Sequence, residues 1–232
     1  MKQLTLSKPF TLTGKGLHTG AMVEATVMPA PEGHGYKFQR TDLEGEPVID
    51  ALAENVVSTQ RGTVIARGEI SVSTIEHLMA ALYASGVDNA LIRVNAPEVP
   101  ILDGSSKLWL EAINATGLTE QKAEKDFYVV KHKIELADEA TGSKILILPD
   151  DEFSVEVKVN FESPVLSNQY ASMEHINEFE TEIAGARTFV FVREIEPLVR
   201  AGYIKGGDLD NAIVIYDSPL SQESLDKIAD TM

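Results

Sequence analysis

Asp-Asn-Ala running into an aliphatic stretch occurs twice in this chain, at residues 88–94 and again at residues 210–216. A helix-forming segment and a glycine precede each copy, and each half also holds a strand, a proline turn and a second strand, around Pro29 and around Pro149. A duplicated order of local signals restricts the fold to two related α+β units that face each other across a cleft. The expected domains are residues 1–120 and 124–232, each with β-sheets packed on helices in a β-α-α-β sandwich, joined through the polar linker 120–126. Fewer residues follow the second copy than the first, so the second domain is expected to be incomplete.

Residues 73–106 are the best-patterned stretch of the first unit. Ile75, Leu78, Met79 and Leu82 recur at i, i+3, i+4 and i+7, one stripe of a helix. Ser73 is the expected N-cap, and Gly86 stands where a left-handed cap would stop the helix. A strand at 90–94 follows, then a loop bracketed by Pro97 and Pro100, then the turn Asp103-Gly104-Ser105. That turn opens a second helix over 105–116, with Trp109 and Ile113 on its apolar side and Gly117 at its end.

Glu76 and His77 fall off the apolar stripe, in the first turn of the first helix. Two readings are open. Ser73-x-x-Glu76 has the spacing of a capping box, in which the carboxylate only satisfies a backbone N–H. Alternatively the positive end of the helix dipole disfavours imidazolium, leaving a neutral ring that can bind a metal beside a carboxylate that can take a proton from water.

Composition narrows the chemistry. The formal charge of −16 excludes a phosphate-binding nucleic-acid surface, and the absence of cysteine excludes disulfides and thiolate catalysis. Any metal must then be held by His, Asp or Glu. No apolar run reaches bilayer length and no signal-peptide core follows Met1, so a cytoplasmic, soluble protein without stable membrane insertion is expected. The glycine-rich segment 14–20 lacks the spacing of a Walker motif; it is either a hairpin turn or a close approach of backbone to ligand. Strands are expected at 4–13, 21–28, 36–40, 56–66, 127–134, 144–148, 153–161 and 186–191, with 173–182 helical or irregular. Helices are expected at 192–201 and at 221–231, the latter with Leu225 and Ile228 on its apolar side.

Five segments taken in order resemble one family: G-K-G-L-H-T-G at 14–20, S-T-I-E-H-L at 73–78, V-N-A-P-E-V-P-I-L-D-G-S at 94–105, A-R-T-F at 186–189 and G-G-x-L-D-N-A at 206–212. That family is the zinc-dependent UDP-3-O-acyl-N-acetylglucosamine deacetylases of lipid A biosynthesis. The resemblance implies two related α+β domains, a zinc cofactor, and hydrolysis of an N-acetyl group from an acylated UDP-sugar. It implies that Glu76 is the general base, His77 a zinc ligand, and Thr188 a hydrogen-bond support for the oxyanion. Phe189 and Ile195 match the wall of the acyl passage, while His18 and Gly206 match positions near the bound nucleotide sugar. The chain departs from the family in lacking its late H-K-x-x-D helix and the G-H segment after it; the other histidines are His18, His34, His132 and His175. With His77 alone, the expectation is a chain that cannot hold zinc tightly, an incomplete copy of the enzyme. The alternative is a non-catalytic module that binds an acyl nucleotide sugar.

Overall fold

The computed structural model describes residues 1–217 and 221–231. Period-two alternation builds the main sheet: Met22–Pro29 buries Val23, Ala25 and Val27 and turns the residues between them outward. The sheet order is Phe10–Lys15, Met22–Pro29, Ala90–Val94, Tyr36–Arg40 and Val48–Asp50. Only the pairing of Tyr36–Arg40 with Ala90–Val94 is parallel. One face of this sheet is covered by α1 (Glu76–Ala84) and α2 (Lys107–Thr116), whose Leu78, Leu82, Trp109 and Ile113 join Phe38, Ile49 and Ile92 in one core. Gly86 and Gly117, at φ +74° and +76°, stop the two helices as the sequence predicts.

Other boundaries differ from expectation. The strand expected at 4–13 is two strands, Lys2–Leu6 and Phe10–Lys15. The strand expected at 56–66 is also two, Val56–Ser58 and Val64–Arg67, with a tight turn between them in which Arg61 takes φ +62°. These two and Ile70–Ser73 make a three-stranded antiparallel sheet that feeds directly into α1.

Most of the expected linker is ordered structure. Leu118–Glu124 pairs antiparallel with Lys2–Leu6. Its polar composition reflects a ribbon with one solvated face, which a composition-based reading mistakes for a connector. Residues 127–133 belong to no strand, because no neighbouring segment offers them a ladder of hydrogen bonds.

The later half consists of strand pairs. Ile134–Ala137 pairs with Lys144–Ile147, and Val155–Asn160 with Asn168–Met173, both antiparallel. Between them and the next strand lie a 3-10 turn at Ile176–Glu178 and a wide turn at Phe179–Ile183. Phe189–Phe191 and Ile213–Ile215 run parallel, connected through α3 (Val192–Arg200), which is a βαβ unit. A last helix, α4, spans Gln222–Thr231; the side chains of Leu225 and Ile228 lie outside the described part.

Candidate functional site

The entrance to α1 is not a capping box. Ser73 is the last residue of the strand Ile70–Ser73, and its hydroxyl donates to the Pro97 carbonyl at 3.2 Å. Thr74 then takes φ +59°, and α1 begins at Glu76 with Ile75 as an N-cap that makes no side-chain bond. A β-branched residue in left-handed backbone is strained, and the sharp turn it makes carries Ser73 out of capping range. Glu76 is thereby released from the helix. Its Oε2 accepts the Thr63 N–H at 2.9 Å, and its Oε1 would lie 3.5 Å from a β-carbon placed on Gly62.

His77 points the other way around the helix entrance, toward Thr188. The ring Nε2 and the Thr188 hydroxyl lie 3.4 Å apart, at the long end for a hydrogen bond, across 111 residues of sequence. Nδ1 is buried and has no hydrogen-bond partner. Burial holds the imidazole below the ordinary histidine pKa, while Glu76, the Ser105 backbone and Asp103 oppose that shift. The Ser105 backbone favours the charged ring without making a full hydrogen bond to Nδ1. The neutral ring expected from a helix dipole is therefore favoured chiefly by desolvation.

Thr188 is placed by the turn that starts α2. Its N–H donates to the Gly104 carbonyl at 2.7 Å, and its own carbonyl accepts the Ile213 N–H at 2.8 Å. Arg187 Nε donates to the Asp103 carbonyl at 2.7 Å. A β-carbon on Gly104, whose φ is +82°, would collide with the Asn211 carbonyl oxygen, so this close backbone crossing requires glycine.

Beside Thr188 opens a cavity of about 310 Å³, lined by Leu17, His18, Phe189, Ile195, Leu198 and Tyr203 among others. Thr188 is the meeting point, since it lines the cavity and also faces His77. The glycine-rich segment is the hairpin turn between Phe10–Lys15 and Met22–Pro29, and it also presents His18 to this cavity. His18 sits edge-on to Tyr203 with ring centroids 5.2 Å apart, and its Nε2 lies 3.0 Å from the Arg61 carbonyl. Gly206 is buried behind the cavity wall. Its N–H donates to the Leu17 carbonyl at 3.0 Å, and the space for a β-carbon is filled by the Gly16 carbonyl. Sequence reasoning passed over Arg61 and Glu194, which form a two-armed ion pair at 2.8 and 3.2 Å beside the cavity, and over Glu98. Glu98 stands inside V-N-A-P-E-V-P, and an acid between two prolines, close in sequence to the Glu76-His77 segment, is the available signal.

A catalytic zinc takes three protein ligands and keeps one position open. Among the described residues no group of three His, Asp or Glu side chains is placed to hold a metal ion. By themselves the described residues do not fit a catalytic zinc.

Known proteins resemble the chain along its whole length. It is 58% identical over 232 residues to the bifunctional enzyme LpxC/FabZ of Bacteroides thetaiotaomicron, covering 100% of this chain and 50% of that protein. With the protein of the same name from Porphyromonas gingivalis it shares 59% over 231 residues, again 100% of this chain and 50% of that one. The UDP-3-O-acyl-N-acetylglucosamine deacetylase of Myxococcus xanthus is 43% identical over 215 residues, 92% of this chain and 68% of its own length. The chain thus spans about half the length of the first two relatives. Residues 3–230 match the family model described as UDP-3-O-acyl N-acetylglycosamine deacetylase, and the chain belongs to that family.

Proposed function

We propose that the complete protein hydrolyses the N-acetyl group of a UDP-3-O-acyl-N-acetylglucosamine in lipid A biosynthesis, acting in the cytoplasm on a small-molecule substrate. The observation that carries this reading is the approach of His77 to Thr188 at 3.4 Å, beside Glu76 and at the edge of an apolar cavity. Glu76 is the general base: it takes a proton from the water that attacks the acetamide carbonyl, and returns it to the amine as the C–N bond breaks. The Thr188 hydroxyl donates to the oxygen on which negative charge develops. Phe189, Ile195 and Leu198 offer the acyl chain an apolar wall, and His18 lies where the sugar would enter. Zinc belongs to the proposal as the cofactor of the complete protein, with His77 as the ligand that these residues contribute. The division into units 1–120 and 124–232 is likewise part of the proposal, the strand Leu118–Glu124 tying the first of them closed.

The test compares the 232-residue chain with a version extended at its C-terminus, measuring zinc content and deacetylation of an acylated UDP-N-acetylglucosamine. The longer chain is expected to bind one zinc and turn over, and Glu76→Ala in it to lose at least about 100-fold in kcat while still binding substrate. Tight one-to-one zinc and full activity in the 232-residue chain would refute the account of the site. One observation favours a second reading, a module that binds the nucleotide sugar without cleaving it: the lack of a three-ligand group among the described residues. Substrate binding with no turnover by the extended chain would select it.

A further inference from the structure

Glu98 is fully buried and has no part in the proposed hydrolysis. Both of its oxygens accept. Oε1 takes the His18 N–H at 2.9 Å and the Thr74 hydroxyl at 3.1 Å. Oε2 takes the Thr19 N–H at 2.9 Å and the Thr19 hydroxyl at 2.7 Å. All four donors are neutral, two backbone amides and two hydroxyls, which is how a buried carboxylate is satisfied without a cation.

These donors come from two separate parts of the site. His18 and Thr19 belong to the turn that presents an imidazole to the cavity, whereas Thr74 is the strained residue from which Glu76 and His77 set off. The segment carrying Glu98 is itself fastened at both ends. The Ser73 N–H donates to the Pro97 carbonyl at 2.9 Å, the Val99 N–H to the Ser73 carbonyl at 3.0 Å, and the Ile101 N–H to the Lys15 carbonyl at 2.9 Å. Gly16 completes the arrangement, because a β-carbon there would strike the Glu98 carboxylate. A left-handed threonine persists only where its surroundings over-determine it, and here one of those constraints is the carboxylate.

We propose that Glu98 is a positioning residue for the reaction: one buried carboxylate locks the His18 turn and the Thr74 kink to a single point, and so fixes the cavity wall relative to Glu76 and His77. Its kinetic consequence rests on the deacetylase reading, whereas the clamp itself does not. A glutamine at 98 turns N–H groups toward donors and keeps acceptors for one arm only.

In the complete protein, Glu98→Gln is expected to lower kcat about 100-fold with KM within about threefold, since displacement near 1 Å of aligned groups has that order of effect. Glu98→Asp, which retains both acceptor oxygens on a side chain shorter by one methylene, is expected to recover about tenfold of that loss, leaving an intermediate kcat. Ile49→Ala, a core change away from the cleft, serves as a control for lost stability and is expected to keep kcat. Amide exchange at His18 and Thr19, measured without substrate, is expected to accelerate at least about tenfold in Glu98→Gln. A kcat within about threefold of the parent in Glu98→Gln overturns the proposal, as does an equal loss in Glu98→Gln, Glu98→Asp and Ile49→Ala. If Glu98→Gln does not fold, Glu98→Asp replaces it, with an intermediate kcat expected and a parental one overturning. Should the parent show no deacetylation, the proposed function fails while the exchange rates still decide the clamp: faster exchange supports it, unchanged exchange overturns it.

Discussion

Residues 1–124 and residues 127–173 are both rich in strands that carry apolar residues, but they bury those residues to opposite extents. In the first region the alternating positions of Met22–Pro29 and Ala90–Val94 are closed off by α1 and α2. In the second, the strands Ile134–Ala137, Lys144–Ile147 and Val155–Asn160 are exposed at every position. Leu136, Ile145 and Tyr170 remain about 60% accessible or more, at 60%, 59% and 64%. Alternation therefore specifies that a strand has an apolar face; it does not specify what covers it. An isolated two-stranded hairpin is marginal in water, and a third strand or a helix layer turns the same pattern into a core.

The largest expected effect is on the covered side. Trp109→Ala empties the junction of α2 with the main sheet and should cost about 3–5 kcal/mol in urea unfolding. Gly104→Ala attacks the close crossing between the turn before α2 and the backbone at Asn211, putting a methyl group against the Asn211 carbonyl in left-handed backbone; a loss of about 2 kcal/mol is expected, together with displacement of Thr188.

Arg61→Ala removes the ion pair with Glu194, and since both side chains are partly exposed its cost should be about 0.2–1 kcal/mol. Its pH dependence has a definite sign. Arg61 holds the Glu194 carboxyl below its ordinary value, so the bridge contributes fully above the ordinary glutamate range and is lost as pH falls through the lower folded value. A difference between Arg61→Ala and the parent that persists in strong acid would contradict this. Smallest of all, Leu136→Ala should change stability by less than about 0.5 kcal/mol, because the side chain is already in water. Hydrogen exchange sharpens the same contrast: amides of Ile134–Ala137 should exchange faster than those of Ala90–Val94. Equal protection in the two, or a Leu136 variant as costly as Trp109→Ala, would break the comparison.

Much of the candidate site was legible before the fold. Glu76 and His77 stand off the stripe of α1 by helical geometry alone, and Thr188, Phe189 and Ile195 were reached through family resemblance. The spacing of Ser73 to Glu76 predicts an N-cap, and nothing local reveals that Pro97 will take its hydroxyl. Composition makes 120–126 a linker for a similar reason: Lys2–Leu6, the partner of the strand Leu118–Glu124, lies at the other end of the first region. The resemblance matches Gly206 to a position near the bound nucleotide sugar; only the fold shows that two backbones nearly touch there.

What the sequence determined alone was whatever acts within a few residues: the stripe of α1 and α2, the glycines that stop them, and the exclusion of thiolate chemistry. Rotation per residue and backbone sterics fix these without help from distant segments. Tertiary structure decided which apolar faces are covered, that His77 meets Thr188 across 111 residues, and that Glu98 gathers donors from two turns. Each of these depends on sheet order and on the closure of long loops, and a pattern counted along the chain has no access to the distance between residues that only folding brings together.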